Sequence, residues 1–310
     1  AYMSVEQLIP IFASTVAAAT PLAYAAFGEL VTERSGVLNL GVEGMMLVGA
    51  VAGFAVAFHT GSLGLGFAAG MFSGVALALI FAVLTLSLQT NQVATGLALT
   101  LFGVGLSAFA GRDYVGVTLG GLQPLPIPLL SDIPFFGPLL FHFDILVYGS
   151  IVMLFALQWF FGRSRWGLLL RAVGESPASA HAIGYSVIGI RYMAVLFGGA
   201  MSGLAGAYLT LASTPLWVEG MTAGRGWIAL ALVVFGTWKP MRVLLGAYLF
   251  GGVTILQFYG QGMGIHIASQ LLSMLPYLVT IFVLVLISRN PKTILLNQPM
   301  SLGQSYYPHS

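Results

Sequence analysis

Apolar runs of about 20 residues recur along the whole of this 310-residue sequence, each long enough to cross a ~30 Å hydrocarbon core. Only 6% of the residues are charged, against roughly 25% in an ordinary soluble domain. An all-α polytopic membrane protein with about nine transmembrane helices is therefore expected. The spans fall near 8–28, 37–58, 63–88, 92–110, 144–162, 192–212, 226–238, 243–260 and 269–288. The span at 226–238 is short for a full crossing, which suggests a tilted, broken or re-entrant helix.

Lysine and arginine set the orientation. If 163–191 is cytoplasmic and the spans alternate, that side holds Arg34, Arg163, Arg165, Arg171, Arg191, Lys239, Arg242, Arg289 and Lys292. The outer side holds only Arg112 and Arg225. This is the positive-inside pattern, and it puts the amino terminus outside and the carboxyl terminus inside. The start, AYMSVEQLIP, has no basic n-region or small-residue cleavage site, so no signal peptide is read.

Residues 1–292 read as one transmembrane domain, with an outer loop at 111–143 and a cytoplasmic tail at 293–310. Pro124, Pro126, Pro128, Pro134 and Pro138 prevent a long helix in that loop and favour an extended lid. The tail is polar and expected to be loose. Gly49 and Gly53, Gly70 and Gly74, and Gly199 and Gly203 are spaced to let helix backbones approach closely in lipid.

The 163–191 segment is polar, basic and set between spans, so it must face water. Arg163 and Arg165 end a span, and Trp166 suits the interface. Ser176 is placed to cap a short helix over about 177–183 that opens at Pro177 and closes at Gly184. Such a helix fits a groove on a partner, and it equally describes an ordinary basic loop.

Two further stretches put polar groups among apolar spans. In 33–44, Asn39 and Glu43 lie one helical turn apart. They either line or gate a pathway, or Glu43 pairs with Arg34 at the interface and locks helix positions. In 224–240, Trp227 either stacks on a ring-shaped solute or anchors at the interface. The spans 36–58 and 226–238 both open on a glycine-rich polar turn and run in opposite directions, as in an inverted repeat with broken helices.

Three motifs carry a resemblance. Arg171, Ala172, Gly174, Pro177, Ala180 and Gly184 match the coupling-loop pattern R-A-x-G-x-N-P-x-A-A-x-x-x-G, with Ser176 in place of the asparagine. Residues 33–44 resemble ERSGVxNxGxEG, and 224–240 resemble GRGxIALAxxxFGxWxP. In this order they resemble bacterial ABC importer permeases of the branched-chain amino acid, simple sugar and nucleoside group, and most closely the nucleoside or simple sugar permeases. That resemblance implies a subunit of an inner-membrane importer with two ATP-binding subunits, a second related permease or a second copy, and an extracytoplasmic solute-binding protein. It implies that Arg171, Gly174, Glu175, Pro177, Ala180 and Gly184 couple to the ATPase. ATP and magnesium would bind on the partner subunits, and this chain would hold no cofactor and catalyse nothing itself. The solute would be a nucleoside or nucleobase, or else a simple sugar.

Other classes are disfavoured. There is no Gly-x4-Gly-Lys-Ser/Thr phosphate loop and no cysteine, and the five histidines lack metal spacing. An ion-coupled carrier would need acids at the midplane. No close pair of them stands out, and Asp144 reads as an interfacial cap.

Overall fold

The computed structural model describes residues 5–125, 128, 137, 140–262, 271, 274–288 and 297–307. Among the described residues the named elements are all helical: α1 (Val5–Arg34), α2 (Val42–Thr60), α3 (Leu63–Ala82), α4 (Gln92–Gly111), α5 (Ile145–Arg163), α6 (Arg165–Glu175), α7 (Pro177–Ala182), α8 (Val187–Tyr208), α9 (Arg225–Phe235), α10 (Pro240–Gly262) and α11 (Leu275–Ser288). Single π-helical turns prolong α3 over Val83–Ser87 and α8 over Leu209–Ser213.

Seven of the nine expected spans are helices long and apolar enough to cross a membrane alone. The eighth, α9, has 11 residues and is about 16 Å long, half the thickness of the hydrocarbon core. The ninth corresponds to α11, with 14 residues; the expected span 269–288 reaches beyond the described residues.

Helix starts follow local chemistry. Ser62, Asn91, Asp144, Ser164, Ser176 and Ser186 each accept a backbone N–H of the first turn they precede. Asp144 is indeed a cap, and its second oxygen accepts the Tyr208 hydroxyl at 2.7 Å.

The centre of the bundle is α8, packed on α1, α2 and α3. Glycine makes this possible. A Cβ on Gly203 would run into the Gly70 carbonyl, one on Gly74 into the Gly199 carbonyl, and one on Gly206 into the Met46 carbonyl. Two of the glycine pairs legible in the sequence, Gly70/Gly74 and Gly199/Gly203, thus face each other. Gly49 joins them, because its Cβ would lie 2.5 Å from the Gly203 Cα. Lipid supplies no hydrophobic force between helices, so this close backbone contact is what binds them.

The segments that alternation assigns to one side do meet at one end of the bundle. There, 34–38, 89–92, 174, 191 and 301–306 exchange hydrogen bonds. At the opposite end, Val115 pairs with Trp217 and Thr118 with Leu216, which joins the outer loop to the 214–217 stretch. Pro126, Pro134 and Pro138 of that loop, and Arg289 and Lys292, lie outside the described residues.

The described part of the tail, 297–307, is not loose. Ser301 N–H donates to the Gly174 carbonyl at 3.0 Å, and Gly303 N–H to that of Gly36 at 3.0 Å. Polar composition misleads here, because backbone groups of the tail and the Ser301 hydroxyl bond to the bundle.

Candidate functional site

The two long motifs, far apart in sequence, interlock around α9. At its start, the Glu43 carboxylate accepts Gly226 N–H at 2.6 Å, Gly224 N–H at 2.9 Å and the Thr222 hydroxyl at 2.5 Å. A helix amino terminus offers unpaired N–H groups and a positive dipole end, so a buried carboxylate is well satisfied there. Gly226 is required for the approach: a Cβ would lie 2.5 Å from the Glu43 Cα. Gly224 turns the chain into the helix at φ +82°.

At the other end of α9, Trp238 is held twice. Its indole N–H donates to the Glu33 carboxylate at 2.6 Å, and its carbonyl accepts both Nε and Nη2 of Arg34, at 3.2 and 2.7 Å. Thr237 and Trp238 sit at φ +48° and +54°, a left-handed turn that costs energy in residues with a Cβ. The grip of Glu33 and Arg34 holds that turn in place.

The sequence left a bond between Glu43 and Arg34 open, and the structure corrects this. Arg34 ends α1 beside Trp238, whereas the break 35–41 carries the chain back so that Glu43 begins α2 one α9-length away. Arg225 is the first residue of α9. Its Nη1 donates to the Met221 and Thr222 carbonyls where α9 begins beside Glu43.

A close pair of buried acids also exists. Glu29 and Glu33, one turn apart on α1, are 0% and 1% exposed. One Glu29 oxygen accepts Asn39 N–H at 3.1 Å, and the other has no hydrogen-bond partner. The spacing is visible in the sequence, but the apolar run ends at residue 28, short of both. Asn39 is fully buried, and its side-chain oxygen accepts Gly41 N–H at 2.9 Å, so it shapes the break itself. Trp227 lies on α9 and is 37% exposed.

The order of elements repeats. A long helix, a break, a helix starting inside the bundle and two more helices occur as α1, 35–41, α2, α3, α4 and again as α8, 214–224, α9, α10, α11. The starts of α2 and α9 meet at Glu43 and Gly226, and the two helices run to opposite ends. Of the two, α9 is short for a crossing, whereas α2, with 19 residues, is long enough to cross alone.

The segment 163–191 forms a knob of two short helices at the Arg34 end. Ser176 caps α7 and Pro177 opens it. Gly184, at φ +92°, ends it with Tyr185 N–H on the Ala180 carbonyl and Gly184 N–H on that of His181. The candidate coupling residues divide. Gly174 and Ala180 are buried, and a Cβ on Gly174 would strike the Arg34 carbonyl. Glu175 is exposed, Arg171 is part-exposed, and Ile183 and Tyr185 present 72% and 46% of their surface.

Among the described residues, seven membrane-length helices, a short helix gripped at both ends and a capped knob at one end make a polytopic membrane bundle. The chain belongs to the branched-chain amino acid transport system / permease component family, whose profile matches residues 11–284. It is 43% identical to a putative glucose ABC transporter permease of Haloferax volcanii, over 94% of this chain and 96% of that one. It is 32% identical to a nucleoside ABC transporter permease of Lactococcus lactis and to a guanosine ABC transporter permease of Bacillus subtilis. Each of those alignments covers 91% of this chain and 93% of the relative. No solved structure matches. The chain is thus a multi-pass permease subunit of an ABC transporter.

Proposed function

We propose that this chain forms one half of the solute path of an ATP-driven importer in a bacterial inner membrane. The knob end faces the cytoplasm, so the amino terminus lies outside and the carboxyl terminus inside; the positive-inside bias supports this. Two ATP-binding subunits dock on the knob, carry ATP and magnesium, and perform all hydrolysis. A related second permease completes the path, and a solute-binding protein docks where the loop after α4 joins 214–217. This chain binds no cofactor and makes or breaks no covalent bond.

One observation carries the reading. Gly174 of the knob packs on the Arg34 carbonyl, and the Arg34 guanidinium holds Trp238 at the end of α9. A push on the knob therefore reaches the half-crossing helix through a single residue. Closure of the ATPase subunits would tilt α9 and the 33–44 segment together and switch the path from outward- to inward-facing. The solute is a neutral, hydrogen-bonding molecule: a nucleoside or nucleobase, or a simple sugar. The relatives' named solutes support this class, as does a bundle that offers few charges to an ion.

The test is purification of the chain from its native membrane, identification of what accompanies it, and reconstitution of that complex for uptake of labelled guanosine and glucose. Co-purified ATPase subunits and ATP-dependent uptake of either solute support the reading. The buried pair Glu29 and Glu33 favours one rival, an ion-coupled carrier. Uptake by the solitary chain, driven by an ion gradient without ATP, would establish that rival instead.

A further inference from the structure

A cavity of about 380 Å³ opens at the knob end between α7 and the carboxyl-terminal stretch 301–307. Pro177, Ala178 and His181 line one side, Gln304 and Tyr306 the other, and Arg191 lies beneath. Arg191 is the unusual member. It is 1% exposed, yet its hydrogen bonds go to neutral acceptors: Nε to the Ser35 carbonyl, Nη1 to that of Gln304 and Nη2 to the Ser301 hydroxyl, each at 3.1 Å.

A guanidinium has five N–H donors, so three such bonds leave it incompletely satisfied. More importantly, no carboxylate among the described residues answers its charge. Within that set the only ion pair is Arg112 with Asp113, in the stretch after α4 at the opposite end of the bundle. Burying an uncompensated charge is costly. The cavity, open to solvent and with the imidazole of His181 on its rim, is the side from which a counter-charge reaches it. Its chemistry calls for an anion.

An adjoining cavity shares His181 and Tyr306 with it and extends to Tyr185 on the exposed knob surface. We infer that an aspartate or glutamate side chain of the ATP-binding subunit inserts between α7 and the tail, above Arg191 and beside His181. This rests on the proposal that the knob is where that subunit docks, and it adds a second wall and a charge rule to that surface. The tail is then part of the docking site rather than an appendage. Neutral knob contacts supply area, and this one carboxylate supplies register.

The chain has no cysteine, so single thiols can be introduced cleanly. Ala178→Cys places one in the cavity, and Ile183→Cys places one on the knob surface outside it. Each is labelled with a maleimide photo-crosslinker in the full complex in native membranes, and the joined peptides are sequenced. Both should capture the ATPase subunit, and the Ala178→Cys peptide should contain an acidic residue. Neutralising that acid should cut the ATPase recovered with the permease at least tenfold. His181→Glu should do the same, and reversal of the partner's acid to lysine should restore it. If Ile183→Cys captures the ATPase while Ala178→Cys captures the other permease, lipid or this chain itself, the cavity proposal fails and knob docking stands. The cavity proposal fails equally if neutralising the captured acid changes nothing. If neither position captures the ATPase, knob docking fails as well.

Discussion

The indole of Trp238 and the carboxylate of Glu33, 205 positions apart, meet at 2.6 Å inside the bundle. With Glu43 on Gly226 at 2.6 Å, this makes the stretch 33–44 a clamp that grips α9 at both ends. The half-crossing helix and the break between α1 and α2 are thereby one mechanical body.

The first prediction concerns that grip. Trp238→Phe keeps the packing but leaves the buried Glu33 without its donor, and a cost of about 1–3 kcal/mol is expected. Glu33→Leu, which removes the acceptor altogether, should cost a similar amount. Because the two act on one bond, the double variant should fall short of the sum, with a coupling of roughly 0.5–3 kcal/mol. Melting curves of the purified protein check this, and additive losses would show that the bond carries no energy.

Glu43 should separate stability from transport. Glu43→Ala leaves the N–H groups of Gly224 and Gly226 and the Thr222 hydroxyl without their acceptor and should destabilise the fold by about 2 kcal/mol or more, since three charge-assisted bonds are lost. Glu43→Gln retains one acceptor oxygen and should insert normally. Its uptake should nonetheless fall about tenfold, because charge at the α9 dipole is lost. Full uptake by Glu43→Gln in reconstituted vesicles would remove the charge from the mechanism.

Glycine positions give a contrast within one protein. Gly206→Ala must push α2 off α8 at the Met46 carbonyl, and yields of folded protein should collapse. Gly105→Ala and Gly162→Ala meet nothing within 4 Å and should be neutral to slightly stabilising, because alanine restricts the unfolded chain. Size-exclusion profiles of the three variants in detergent settle the matter.

On the knob, Glu175→Arg alters an exposed side chain without touching the core. Hydrolysis by the assembled complex should persist while solute uptake falls severalfold or more. Gly184→Trp should act in the same direction by straining the αL turn that ends α7. Normal uptake with either would reduce 163–191 to a plain loop.

Much of this fold is legible in the chain. Hydropathy locates the seven long helices, and the Ser176-Pro177-Gly184 punctuation locates α7 to within a residue, because caps act over one turn. The glycine pairs announce the seam around α8. What stays hidden is pairing across distance. Nothing local in Glu33 says that its partner is Trp238, or in Glu43 that it caps a helix beginning at residue 225. Those bonds depend on how two repeats run against each other. Glu29 is hidden for a simpler reason: an acid reads as the end of a span, whereas α1 continues five residues past it and buries it. Arg191 offers only its basic charge, which counts towards orientation, and its buried acceptors come in part from a tail more than a hundred residues later.

That last separation has a consequence for how the protein is made. At 5–20 residues per second, the ribosome needs on the order of ten seconds after completing Arg191 to reach the stretch that supplies its acceptors. During this interval α7 has one flank open and Arg191 lacks two of its three bonds. A chain interrupted before 301 would keep that flank of α7 open and leave Arg191 with the Ser35 carbonyl alone. The knob, begun at residue 163, is therefore among the last parts of the bundle to be closed.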